Sequence, residues 1–275
     1  MSNLAGLPKE ALPSRKFRTQ TMYISAVTLF LLGSFAYLDM NPFMFFTEFH
    51  YVADLVDEML PPSLFIIWQK ASLWASVGET FAMAFLGTIV GATLAFILAL
   101  FTAHNTAPHP WLCGPMRTFL GAQRAAPDFA IMLVIVVAVG FGPFAGTIAL
   151  VIGSTGMFGK LFADAIEQID TQSLESLEAV GASRLQVIRF AIVPEVAPSF
   201  IANTLYLFEI NVGSAVALGV FGGGGLGFEL HIANSTLNYP DLLAYILVIT
   251  AMMVLVERVS DFLRNKIFQT GGALK

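Results

Sequence analysis

Apolar residues run along this chain in six long blocks, at about 20 to 38, 72 to 101, 119 to 140, 143 to 163, 197 to 220 and 242 to 257. Each block is close to the roughly 20 residues that a helix needs to cross a hydrocarbon layer about 30 Å thick. The pattern therefore predicts six membrane-spanning helices. Asp39 to Ser63 reads as a loop with a short surface helix. The longest polar connection, about Asp164 to Glu195, joins the fourth block to the fifth.

Within that connection the apolar period becomes helical. Leu174, Leu177 and Val180 recur three apart, and Leu185, Ile188 and Ile192 recur at three and four. Between them, Gly181 can take the left-handed conformation that ends a helix. Ser183 and Gln186 have the capping-box spacing that starts another. A helix, a turn and a second helix are predicted, with apolar faces that either pack on the protein's own loops or are covered by a partner.

Charge orients the bundle. Lys9, Arg15, Lys16 and Arg18 precede the first block, Arg117 and Arg124 lie at the second turn, Lys160 lies at the end of the fourth block, and Arg184 and Arg189 follow it. Arg258, Arg264, Lys266 and Lys275 follow the last. With six crossings these 13 of the 14 Lys and Arg residues share one side, and Lys70 alone is left on the other. Lys and Arg accumulate in cytoplasmic loops, so both termini are expected in the cytoplasm of a bacterial inner-membrane protein. The expected organisation is a tail at 1–18, a first helix and surface loop at 19–71, a transmembrane domain at 72–260 containing the loop 164–195, and a tail at 261–275. The first apolar run is too long for the core of a secretory signal and has no small-residue cleavage site after it.

Composition agrees: 56% of residues are hydrophobic and 12% charged, with a mean hydropathy of +0.75. A net charge of -5 speaks against nucleic acid as a partner. One cysteine, Cys113, leaves no internal disulfide, and His50, His104, His109 and His231 have no metal-ligand spacing. Two strings imitate nucleotide sites. Gly222, Gly224 and Gly227 fit G-x-G-x-x-G but follow an apolar span instead of a soluble strand. Ser154 to Leu161 lacks the first glycine of a phosphate loop and ends in Leu where Ser or Thr must be. No catalytic residue, metal or cofactor is expected.

Glu175-Ser176-Leu177, Gly181-Ala182-Ser183 and Val193-Pro194 together resemble the EAA motif of binding-protein-dependent ABC importer permeases. The motif's acidic residue, the glycine six later and the proline 13 after that are all present, while Ser176 and Leu177 stand in place of alanines. Beyond about residue 75 the chain is similar to the type I, methionine-importer-like permeases. The resemblance implies an all-α, polytopic membrane bundle. It also implies that Glu175, Ser176, Leu177, Gly181 and Ala182 form a coupling helix docked on an ATP-binding subunit. Val139 to Gly146, Phe208 to Val212 and Gly222 to Gly227 resemble the phosphonate importer permeases, including those for phosphite. The implied assembly is a homodimer of permeases with two ATP-binding subunits and an extracytoplasmic substrate-binding protein, and the implied cargo is phosphonate or phosphite.

Polar side chains inside a span are functional candidates. In the fifth block, Asn203 and Ser214 are eleven residues apart and align within a few tens of degrees, with Asn211 nearby. This face reads as the substrate route or as an interhelical hydrogen-bonded seam. Glu209 would repel an anion, so a gate or a subunit contact suits it better. Glu79 and Asp128 fall near the membrane surfaces. Gly87 and Gly91, and Gly142 and Gly146, form G-x-x-x-G pairs that permit close helix contact within or between copies. This topology places no cation at mid-membrane, so tight cargo recognition is expected in a separate binding protein. The alternatives are a methionine or other small-solute permease, and an ion-coupled secondary transporter, which calls for inverted repeats and broken helices. An intramembrane enzyme would need a nucleophile with its base, or a metal set.

Overall fold

The computed structural model describes residues 15–272 except 42, 171, 173–175 and 178. It divides into two units, Met1–Glu58 and Met59–Lys275. In the first, α1 (Arg15–Tyr37) is apolar over Thr19–Tyr37, with Leu29 and Phe30 exposed, as suits a lipid-facing helix. The predicted surface helix is α2 (Phe49–Met59), which sets Val52, Leu55 and Val56 apart from Asp54, Asp57 and Glu58.

The second unit is built on α3 (Ala71–Thr102) and α6 (Pro143–Glu167), which lie against each other over most of their length. Small residues make this possible. A Cβ added at Gly87 would lie 2.7 Å from the Leu150 Cβ, and one at Gly91 would lie 2.5 Å from the Ser154 Cβ. The Gly87/Gly91 pair thus closes contacts within one copy, and of the second pair Gly146 meets Met83 while nothing lies within 4 Å of a Cβ at Gly142. A second small-residue stripe on α6, at Gly153, Gly156 and Gly159, accepts the neighbouring α4 (Pro110–Ala125) and the start of α5 (Asp128–Val139).

Here the structure corrects the expected third span. The block at 119 to 140 is not one helix, because α4 and α5 meet at 85°. Pro127 supplies no N–H, and a residue before proline is driven out of the helical region. Ala126 and Pro127 are accordingly extended, with ψ near 127° and 132°. Among the described residues five helices are long and apolar enough to cross a membrane, and the bent pair can supply a sixth crossing.

The predicted second loop helix is also revised. It is continuous with the fifth span, forming α7 (Arg184–Gly223). A π-type turn at Ile188–Ile192 precedes Pro194. That wider turn accommodates a residue that can neither donate to the carbonyl four back nor avoid crowding it. At its other end α7 breaks at Gly222, with φ of +102°, and Gly224 at +78° leads into α8 (Gly225–Ser235). Only glycine enters this region freely. The Glu79 carboxylate accepts the Gly225 N–H at 3.1 Å and the Thr80 hydroxyl accepts the Leu226 N–H at 2.9 Å, satisfying the open end of α8. Glu79 therefore has a capping task. The last helix, α9 (Tyr239–Gly272), docks through Tyr245, which donates to Glu229 at 3.1 Å, and through Asp241, which pairs with Lys70 at 3.1 Å. That hydrogen bond holds the Lys70 ammonium above the usual lysine pKa.

The small-residue seam gives a direct test. Gly91→Ala should lower stability by about 1–3 kcal/mol through overpacking. Gly121→Ala, where nothing lies within 4 Å of the added Cβ, should change it little or raise it by at most about 1 kcal/mol. Thermal melts of both purified variants in the same detergent make the comparison.

Candidate functional site

Halfway along α6, the bent span, α6 and α7 enclose a cavity of about 220 Å³. Its polar wall is Gln123, Arg124, Asp128, Ser154, Asn211 and Ser214. The break at Pro127 falls between Arg124 and Asp128 and sets the helices that carry them at 85°. Glycine on α6 lets them approach. A Cβ at Gly153 would collide with the Asp128 carboxylate, and one at Gly156 would come within 3.0 Å of the Arg124 backbone nitrogen. Ser154 lies 11 residues from one end of α6 and 13 from the other, about 16 and 20 Å at 1.5 Å per residue. Arg124, expected at a turn between spans, belongs to the last turn of α4, and Asp128 opens α5, so the two flank the break and line this cavity.

Asn211 is the anchor of this region. Its amide donates to the Thr88 hydroxyl at 2.9 Å and to the Ser154 hydroxyl at 3.0 Å, joining α3, α6 and α7. Only 4% of Asn211 is exposed, so losing either partner would strand a buried donor. Gln123 is fixed in the same way, donating to the Ile152 carbonyl at 2.7 Å. Its buried Oε1 has no partner among the described residues. Neither Arg124 nor Asp128 takes part in the ion pairs found among the described residues.

Of the expected route residues, Asn211 and Ser214 meet at the cavity. Asn203 does not: it faces Ser199, at 3.3 Å. Glu209 stands two residues, or about 200°, from Asn211. It accepts from the Arg264 guanidinium at 2.6 Å. Arg264, expected in the loop after the last span, belongs to α9 and also pairs with Asp261 at 3.2 Å. A local reading of the sequence could not reveal this pair, whose members are 55 residues apart.

The predicted helix-turn-helix region forms a second feature. Glu175 lies outside the described residues. Ser176 is exposed, and its hydroxyl donates to the Gln172 carbonyl. Leu177 packs against the buried cluster that includes Phe162 and Ile192, and its carbonyl accepts the Ala182 N–H at 3.1 Å. Gly181 has a φ of +83°, and the Ser183–Gln186 capping box is formed, with the Ser183 N–H donating to Gln186 at 2.6 Å. The turn exposes Val180 and Leu185, which are 80% and 78% accessible. Leu185 is therefore not on the buried face that Val187 and Ile192 form.

Arg184 fastens this knuckle to the rest of the fold, an attachment the sequence reading missed. Its guanidinium donates to the carbonyls of Thr106 and Ala107, and more weakly to Pro108. The same segment is tied to α6, because the Glu167 carboxylate accepts both the His104 N–H at 2.7 Å and Arg117 at 2.6 Å. Motion of the knuckle thus has a connected route to α4 and α6.

The description of binding-protein-dependent transport system inner membrane components matches residues 91–269. The phosphite transport system permease protein PtxC of Stutzerimonas stutzeri is 37% identical over 216 residues, covering 78% of this chain and 77% of that protein. The phosphate-import permease protein PhnE of Mycolicibacterium smegmatis is 33% identical over 236 residues, or 86% of this chain, which spans only 44% of PhnE. Among solved structures, the inward-facing MetNI methionine ABC transporter aligns with a TM-score of 0.62 at 19% identity, covering 74% of this chain and 97% of its own. That likeness establishes the fold.

The Glu209–Arg264 pair is largely enclosed, with side-chain exposures of 20% and 27%. Arg264→Ala should cost about 2–4 kcal/mol, because it leaves the carboxylate without its cation. The double variant Glu209→Gln with Arg264→Gln should recover at least half of the loss. Chemical or thermal unfolding of the three proteins measures the coupling.

Proposed function

Because this chain belongs to the family of binding-protein-dependent transport system inner membrane components, we propose that it is the permease subunit of an ATP-driven importer for small phosphorus oxyanions, phosphite or phosphonate. The observation that carries the cargo is the likeness to the phosphite permease PtxC across more than three quarters of both chains. Arg124 in the cavity lining is consistent with an anion. At about 220 Å³ it falls below the 300–1,000 Å³ typical of drug-sized ligands.

In this reading two copies of the chain form the pore, with both termini in the cytoplasm. Each copy presents Glu175 to Ala182 to one of two ATP-binding subunits. An extracytoplasmic binding protein delivers cargo, and ATP hydrolysis belongs to the partner subunit. Closure of the ATP-binding subunits pulls on the knuckle, and Arg184 and the Arg117–Glu167 pair carry that pull to α4 and α6. Asn211 and Ser214 line the route, Asn203 borders it, and Glu209 acts with Arg264 as a brace between α7 and α9.

A secondary transporter is the competing mechanism, and the broken α4–α5 span is a feature it would share. The two part on energy source. In proteoliposomes holding the full complex, phosphite uptake should require internal ATP and persist with an ionophore; uptake that survives without ATP and collapses with the ionophore would reject the proposal. Gly181→Val places a β-branched residue at positive φ, which is strained. It should reduce uptake at least tenfold while the protein remains in the membrane, and normal uptake in that variant would remove the coupling assignment.

A further inference from the structure

The cavity wall has an uneven hydrogen-bonding inventory. Arg124 can only donate, and an ionised Asp128 can only accept. The Gln123 amide is oriented by its bond to Ile152, so the group it turns elsewhere is an acceptor, buried and without a partner among the described residues. Gln123 Oε1 is sealed from the cavity, but Arg124 and Asp128 both line it and belong to none of the ion pairs among the described residues, so the cavity suits a ligand that brings negative charge to one and a hydrogen to give to the other.

We propose that this cavity is a passage site for a tetrahedral monoanion that retains an O–H. Arg124 binds its charged oxygens, and the Asp128 carboxylate accepts its O–H. The inference rests on the import of phosphorus oxyanions for its physiological cargo and adds a selection rule. Phosphite, phosphate and alkyl phosphonates all carry an O–H in their monoanionic forms. Sulfate has similar size and shape but is fully deprotonated at neutral pH, so it offers acceptors alone and would meet Asp128 as a like charge. The same carboxylate offsets Arg124, so the site holds a monoanion weakly. Weak holding suits a passage, which must also release what it admits.

The test uses the purified permease with its ATP-binding subunit, in lipid nanodiscs and without the binding protein. Broadening of the ³¹P resonance of sodium phosphite reports weak, exchanging binding. Broadening should be present at mildly acid pH and fall at least fivefold at mildly alkaline pH, where the dianion replaces the monoanion. A tenfold excess of sulfate should leave it unchanged, whereas inorganic phosphate should compete. Arg124→Gln should abolish it, Arg124→Lys should restore part of it, and Asp128→Asn should let sulfate compete. Equal competition by sulfate, broadening that grows as the dianion forms, or full broadening in Arg124→Gln would each overturn the proposal. The pH and sulfate measurements use the unaltered chain, so they decide the matter even where a variant fails to fold. ATP-driven uptake by the full complex addresses the import reading alone, so the two can fail separately.

Discussion

The second unit depends on how closely α6 is approached from both sides. Glycine and alanine leave its backbone nearly bare: Gly87 and Gly91 of α3 close on Leu150 and Ser154, and Gly153, Gly156 and Gly159 receive Asp128, Gln123 and Leu120. In lipid there is little hydrophobic gain from pairing apolar helices, so close packing and hydrogen bonds must hold them together. The Asn211 amide adds such bonds at the depth of Ser154 and Thr88. Because helix, seam and amide meet at one level, the neighbouring cavity has a fixed frame on two sides and a bent span on the third.

That bend explains which parts of the site were legible in the sequence. The apolar count over 119 to 140 passes for an unbroken span, because averaging hides a single Ala126-Pro127-Asp128 step. The signal was present: a proline flanked within three residues by Arg124 and Asp128 is a poor interior for a lipid-facing helix. Asn211 and Ser214 were recognisable because helical spacing is local. Asn203 shares their stripe but is not in the cavity lining, and its amide turns to Ser199. The Glu209–Arg264 pair joins distant segments, and no period of a single helix encodes it.

The knuckle was legible for the opposite reason. A positive-φ glycine and a capping box are properties of a few consecutive residues, and Gly181 and Ser183 with Gln186 adopt the predicted forms. Its attachment was not, because the carbonyls held by Arg184 belong to a loop some 76 residues earlier. The outcome is a turn fixed at its base and open at its tip. Val180 and Leu185 remain exposed although the chain has the material to bury them, as Ile192 and Val187 show.

The central claim is that this open tip is gripped by an ATP-hydrolysing subunit. The most direct measurement places a single cysteine at Val180, in a Cys113→Ser background, and applies a short thiol crosslinker to the assembled complex in membranes. The account predicts a permease–ATP-binding subunit adduct whose yield changes when ATP is added and hydrolysis is blocked. Adducts only with other segments of the same permease chain, unaffected by nucleotide, would contradict it.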